Sequence, residues 1–217
     1  MTENSVKIQL IKNLELSGYI KSPKVKKTML KVSRELFVPE KHYYDAYSDT
    51  ALLIPGDQTI SAPHMHAITL SELKLKEGDK VLEVGSGSGI LLAYIREIVG
   101  KKGKVVGIEI NKETYKFAKE NLKKASCKDV ILIHGDGSLG YPKYAPYDKI
   151  VVSAASPDIP KPIIEQLKPS GLLLIVVGSP YGDQNLIKVR KTKSGKIIEN
   201  QLLPVIFVPL RGKYGYK

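Results

Sequence analysis

Residues 83 to 89 read Glu-Val-Gly-Ser-Gly-Ser-Gly, with glycines at alternate positions behind an acid. Glycine lets backbone approach a ligand closely, and a helix opening after such a loop offers free N–H groups. The dinucleotide fingerprint is spaced G-x-G-x-x-G. Here the spacing is G-x-G-x-G, and Ile90 stands where the last glycine of that form would be. Glu83 would repel a pyrophosphate but attract an ammonium or a sulfonium. The loop therefore favours S-adenosylmethionine over NAD. Glu109, in the run GIEI, can accept both hydroxyls of a ribose from a strand end. Within His134-Gly135-Asp136-Gly137, a carboxylate and a backbone N–H could hold an adenine. An ordinary Asp-Gly turn accounts for those four residues equally well.

A second polar concentration precedes the loop: Gly56-Asp57-Gln58-Thr59-Ile60-Ser61-Ala62-Pro63-His64-Met65-His66. The Ser61 hydroxyl could donate to a substrate carboxylate or to a cofactor. Propensity alone makes Ser61 the N-cap of the helix that follows, with Pro63 in its first turn. His64 and His66 are two residues apart, point in different directions on a helix and cannot share one metal. No metal site is expected. Methyl transfer to a pyrimidine carbon needs a cysteine nucleophile. Cys127, the one cysteine, falls in the loop before the third strand of the core, away from the glycine loop. An Asp/Asn-Pro-Pro-Tyr element for exocyclic amines is also missing, because Ser153-Ala154-Ala155-Ser156-Pro157 stands in its place.

These residues need a scaffold, and the apolar pattern supplies one. Helices are predicted over 5–17, with a stop at Gly18, over 23–32 behind Pro23, and from about Ala62 to Leu73. Residues 37–60 read as irregular, broken by Pro39, Pro55 and Gly56. From residue 79 the pattern alternates: strands at 80–85, 104–110, 130–134, 149–155 and 172–178, with helices at 90–99 and 112–124. Short β-branched runs separated by helices imply a parallel sheet covered on both faces. The end of the chain breaks the rule, because 186–191 and 196–210 flank a Lys193-Ser194-Gly195 turn as an antiparallel hairpin. The expected architecture is α/β: a doubly wound, Rossmann-like, mostly parallel sheet with a C-terminal antiparallel hairpin and an N-terminal helical cap. It reads as a single domain, 1–217. The cap and substrate segment take 1–76, the cofactor-binding core 77–180, and the hairpin and tail 181–217.

At 217 residues with 42% hydrophobic content, the chain can bury a core, which excludes intrinsic disorder. One cysteine forms no intramolecular disulfide and fits a reducing compartment. No signal peptide is evident, and the longest apolar run, Leu172 to Val177, is far too short to span a bilayer. The expected place is the cytoplasm, with no membrane association. The formal net charge of +12 invites nucleic acid, yet the lysines are spread along the chain without interleaved aromatics. A solvated lysine-rich surface is the better reading, with no stable nucleic-acid partner. Exposed hairpin edges could pair with a second copy, so homo-oligomerisation is open.

The motifs together resemble the protein-L-isoaspartate O-methyltransferases over nearly the whole chain. The matching segments are FVPE (37–40), AYSD (46–49), QTISAPHMHA (58–67), LEVGSGSG (82–89), GDG (135–137), YDKIVVSAASP (147–157), QLKPSG (166–171) and VPL (208–210). The resemblance implies S-adenosyl-L-methionine as methyl donor, S-adenosyl-L-homocysteine as product and isoaspartyl proteins as substrates. It makes Ser61 the catalytic serine and places residues 59 to 64, among them Thr59, Ile60 and His64, against cofactor and substrate. Glu83, Gly85, Gly87, Glu109, Asp136 and Gly137 would line the cofactor site. Arg211 follows VPL where many relatives carry a small polar residue. Two other readings share the fold: an RNA or DNA methyltransferase, and a module that binds the cofactor without turnover.

Overall fold

The computed structural model describes residues 3–180 and 182–217. Helix α1 (Glu3–Leu16) and helix α2 (Pro23–Lys31) form an N-terminal layer. Leu10, Ile11 and Leu14 of α1 are buried, whereas Val6, Ile8 and Leu16 face solvent. Helix α2 is capped by the Ser22 hydroxyl, which accepts the Val25 N–H at 3.3 Å. Two short 3₁₀ turns follow, at 34–37 and 40–45.

The stretch expected to be irregular then holds a small antiparallel hairpin, β1 (Leu52–Ile54) and β2 (Gln58–Ile60), with Leu52 opposite Ile60. Its strands are too short to show a two-residue period, and only the pairing defines them. Helix α3 (Pro63–Leu73) begins one residue later than expected. Ala62 occupies the N-cap position and no side chain caps the helix. The capping role read for Ser61 is therefore not realised. Pro63 opens the first turn as expected, where its missing N–H costs nothing.

The core sheet comprises β3 (Lys80–Val84), β4 (Lys104–Glu109), β5 (Ile131–His134), β6 (Tyr147–Ser156), β7 (Leu167–Gly178), β8 (Gln184–Lys191) and β9 (Ile197–Val205). Between them lie α4 (Ile90–Val99), α5 (Lys112–Lys124) and a five-residue helix α6 (Lys161–Glu165) that the sequence pattern did not announce. The strand order is β5-β4-β3-β6-β7-β8-β9. Strands β3 to β7 pair in parallel, and β8 and β9 add an antiparallel edge. The edge strand stops at Val205, short of the expected 210, and the chain leaves the sheet to cross back over β6. There Ala155 N–H donates to the Val208 carbonyl at 2.8 Å, and Leu210 N–H donates to the Ala155 carbonyl at 2.7 Å.

Alternation along the strands feeds two cores. Val81, Val151 and Leu174 pack against the cap and α4, whereas Leu82, Val84, Val152 and Leu173 pack on the other face. Each such side chain, fully buried, stabilises the fold by about 1.5–3 kcal/mol. The same alternation sets Glu83 on the cap side of the sheet, one strand away from Val151 in register. Strand order reverses between β3 and β6, and a parallel sheet opens a crevice at the carboxyl ends beside that switch point.

Candidate functional site

Three glycines with positive φ shape the loop after β3: Gly85 at 78°, Gly87 at 53° and Gly89 at 86°. A residue with a Cβ would be strained at all three. The loop is tied to the end of β4, because Gly85 and Ser86 N–H donate to the Ile108 carbonyl at 2.9 and 3.1 Å. Gly87 N–H donates to Glu109 Oε2 at 3.0 Å, and Asn111 N–H to Glu109 Oε1 at 2.9 Å. Those contacts fix the Glu109 carboxylate, while burial raises its pKa.

Above this loop lies a cavity of about 520 Å³. Thr59, Gly85, Gly87, Glu109 and Gly137, all expected in the cofactor site, line it. Sequence reasoning missed Asp57, Asn111, Ser153 and, for this cavity, Arg211, which the Val208–Arg211 crossing brings over the opening. A narrow crevice of about 40 Å³ runs beneath, touching Glu83, Ile60, Ser61 and His66. Ile60 is a core residue and borders only this crevice among the three cavities of the site.

Glu83 is 2% exposed. Its Oε1 accepts the Ser153 hydroxyl at 3.2 Å, a bond that spans the switch point, and its Oε2 has no partner. Burial, eased by Ser153 and reinforced by the nearby Glu109, pushes this carboxyl well above the usual carboxylate range. An orphaned buried carboxylate oxygen beside a second acid matches a cation and opposes a pyrophosphate. The donor set therefore fits the sulfonium and ammonium of S-adenosylmethionine.

Asp136 stands outside the cavity wall. Its Oδ1 accepts the Ser138 N–H at 2.9 Å and hydroxyl at 2.6 Å, and its Oδ2 accepts the Lys213 N–H at 2.8 Å. The carboxylate thus joins the C-terminal tail to the turn after β5, and Gly137 alone of this pair faces the cavity.

A second cleft, about 340 Å³, lies alongside. Ser61 and His64 line it, opposite the segment 203–208. Thr59, Ser153 and Val208 border both this cleft and the larger cavity, so the two meet there. His64 belongs to the second cleft: its backbone N–H donates to Asp49 Oδ1 at 2.9 Å and its Nδ1 lies 3.0 Å from the same oxygen. The Ser61 carbonyl accepts Arg34 Nη2–H at 2.8 Å, and among the described residues its hydroxyl takes no partner. The far wall is held by Gln184, whose amide accepts the Phe207 N–H at 2.7 Å and donates to the Phe207 carbonyl at 3.2 Å. Cys127 lies elsewhere, in a groove shared with Lys31 and Ala93.

The geometry is thus a cavity walled by Glu109 and the glycine loop, with buried Glu83 in the crevice beneath. It meets a cleft lined by Ser61, whose hydroxyl takes no partner among the described residues. The chain is similar to known proteins along nearly its whole length. The family model described as protein-L-isoaspartate(D-aspartate) O-methyltransferase matches residues 4–215. Among curated relatives, protein-L-isoaspartate O-methyltransferase 2 of Archaeoglobus fulgidus is 54% identical over 90% of this chain and 89% of its own. The protein-L-isoaspartate O-methyltransferase of Hyperthermus butylicus is 48% identical over 96% of this chain and 90% of its own. A Plasmodium falciparum chain described as the same enzyme, solved in complex with S-adenosyl-L-homocysteine, superposes with a TM-score of 0.82. It is 31% identical and covers 94% of this chain and 98% of its own length. With the match running from the cap to the tail, the chain belongs to the protein-L-isoaspartate O-methyltransferase family.

Proposed function

We infer that the protein transfers a methyl group from S-adenosylmethionine to the free α-carboxylate of L-isoaspartyl residues in damaged proteins. The observation that carries the reading is the meeting of the two cavities at Thr59, Ser153 and Val208, with Ser61 on the acceptor side. S-adenosylmethionine, when bound, supplies an electrophilic methyl on a sulfonium. Gly85, Gly87, Glu109 and Gly137 would hold it from the sheet side, and Glu83 would balance its positive charge. Ser61 is read as the group that orients the acceptor carboxylate by donating its hydroxyl, and His64, fixed by Asp49, as a wall of the acceptor cleft.

The acceptor carboxylate has a pKa of roughly 3.5 to 4 and is ionised at neutral pH. One of its oxygens attacks the methyl carbon in line, an O–C bond forms, and the S–C electron pair returns to sulfur. No proton moves, so no general base is required. The protein's part is alignment and exclusion of water. The methyl ester is a better leaving group than the free acid, and the next backbone nitrogen can displace methanol to close a succinimide. Hydrolysis of that ring returns some normal aspartate. The single cysteine supports a reducing compartment, and we read the cytoplasm as the place of action.

The test uses labelled S-adenosylmethionine and two matched peptides, one with isoaspartate and one with aspartate. Base-labile methyl ester on the isoaspartyl peptide alone is the expected result. Label on neither peptide, with transfer to RNA, would replace the reading with a nucleic-acid methyltransferase.

A further inference from the structure

Arg34 is 1% exposed, in the 3₁₀ turn that follows the cap helices. Its guanidinium is spent on three separate stretches of chain. Nε–H donates to the Ala46 carbonyl at 2.7 Å, Nη2–H donates to the Ser61 carbonyl at 2.8 Å, and Nη1 lies 3.3 Å from His66 Nδ1. An arginine has no acceptor, so His66 Nδ1 must accept and the imidazole is neutral. Burial together with the adjacent Arg34 charge holds His66 well below its ordinary pKa.

Among the described residues no carboxylate pairs with Arg34. Glu35, its neighbour in sequence, accepts the Tyr47 hydroxyl instead. Asp49 acts on the guanidinium only through space and is itself bound to His64. Burial lowers the Arg34 pKa to about 10, which leaves it ionised at neutral pH. A buried charge without a contacting counter-charge is costly to keep. Packing alone would be served better by an apolar side chain. One of the three bonds, however, ends on the carbonyl of Ser61, a residue of the acceptor cleft whose hydroxyl takes no partner among the described residues.

We propose that Arg34 is a positioning residue for methyl transfer, in which its three-way fork, acting through the Ser61 carbonyl, sets the direction of the Ser61 hydroxyl toward the acceptor carboxylate. Its charge, at one peptide's remove, supplies the counter-charge that the acceptor carboxylate needs. Lysine cannot replace it, because a point charge on a flexible stem does not form the fork. The inference rests on the acceptor role given to Ser61.

The test is a cycle of four proteins: wild type, Arg34→Lys, Ser61→Ala and the double variant. Each is measured for kcat and KM with the isoaspartyl peptide and for the Kd of S-adenosylhomocysteine. Arg34→Lys is expected to lower kcat/KM by about tenfold or more, the effect of a small misplacement at a reacting centre. The Kd should stay within about twofold, and the same change in the Ser61→Ala background should cost less than about twofold, since coupled residues do not add. Equal losses in both backgrounds, or no loss in either, overturn the inference. Should Arg34→Lys fail to bind S-adenosylhomocysteine, Arg34→Gln takes its place, and failure of both assigns Arg34 to stability and overturns it too. A Ser61→Ala protein as active as wild type removes the role on which the inference rests. A wild type inactive on the isoaspartyl peptide removes the proposed function itself, and each of these outcomes is distinct from the others.

Discussion

Glu83 carries a conflict that a cationic ligand would relieve. Its folded pKa is raised, first by burial, with Glu109 adding repulsion and the Ser153 hydroxyl easing it. The unfolded value is about 4.3. For an acid so shifted, the stability contribution is fully present below that unfolded value and is lost as pH rises through the folded one. The ligand-free protein should therefore weaken with rising pH, whereas a cationic ligand favours the ionised carboxylate. Glu83→Gln keeps the shape and removes the charge. Its ligand-free melting midpoint at neutral pH is expected to rise by a few degrees, in keeping with relief of about 1–3 kcal/mol. Affinity for S-adenosylmethionine should fall about ten- to a hundredfold. Calorimetry with and without ligand reads both, and a variant that binds as tightly as wild type would remove Glu83 from the cofactor site. Glu83, Glu109 and the glycines were legible in the sequence because each sits at the end of a strong apolar run. Arg34 and Asp49 were not, since they reach Ser61 and His64 across 27 and 15 residues. No local pattern records such a contact.

Among the elements, the β1–β2 hairpin stands over the larger cavity. Its Asp57, Gln58 and Thr59 roof the larger cavity. The hairpin tip is tied to the start of α5: Asn111 Nδ2–H donates to the Gly56 carbonyl at 3.1 Å and the Thr114 hydroxyl to the Pro55 carbonyl at 2.8 Å. Gly56, at φ 82°, lies so close to both side chains that a Cβ would collide with them. Asn111 also caps α5, accepting the Glu113 and Thr114 N–H groups, so substituting it would damage helix and tether together. Thr114→Val separates the two effects. It should cost about 1 kcal/mol of stability, the worth of one hydrogen bond, and a roof less firmly held should release S-adenosylhomocysteine about five- to tenfold faster. Stopped-flow displacement measures the rate, and an unchanged rate would show that the ligand leaves without the hairpin moving. The same elements show where sequence reading succeeds. Helices α4 and α5 were read to the residue, because Gly89, Gly100 and Asn111 punctuate them. The hairpin stayed hidden, since three-residue strands have no period of their own. The expected final strand overran to 210, because an apolar run does not reveal where it leaves its neighbour.

Across the whole molecule, the net charge of +12 sits on a chain whose reading requires one cationic and one anionic reactant. Many lysines are already engaged: Lys21 and Lys188 both bind Glu72, Lys31 binds Glu97 and Lys168 binds Asp148. Such pairs lower local fields without changing the total. The surplus would act at long range, favouring the approach of segments with a free carboxylate, while the buried Glu83 and Glu109 would offer the opposite sign only at close quarters. That division predicts different salt responses at the two sites. The Debye length shrinks from about 30 Å at 0.01 M to about 10 Å at 0.1 M salt, which removes steering but leaves buried contacts intact. Across that range kcat/KM for an acidic isoaspartyl peptide should fall several-fold, with kcat at saturation unchanged, because charge attraction acts on encounter. An uncharged-flank peptide should lose less, and S-adenosylmethionine should bind no more weakly. Initial rates at fixed pH with both peptides decide the matter. If kcat/KM for the acidic peptide is insensitive to salt, the excess lysines serve solubility and the acceptor is captured by the cleft alone.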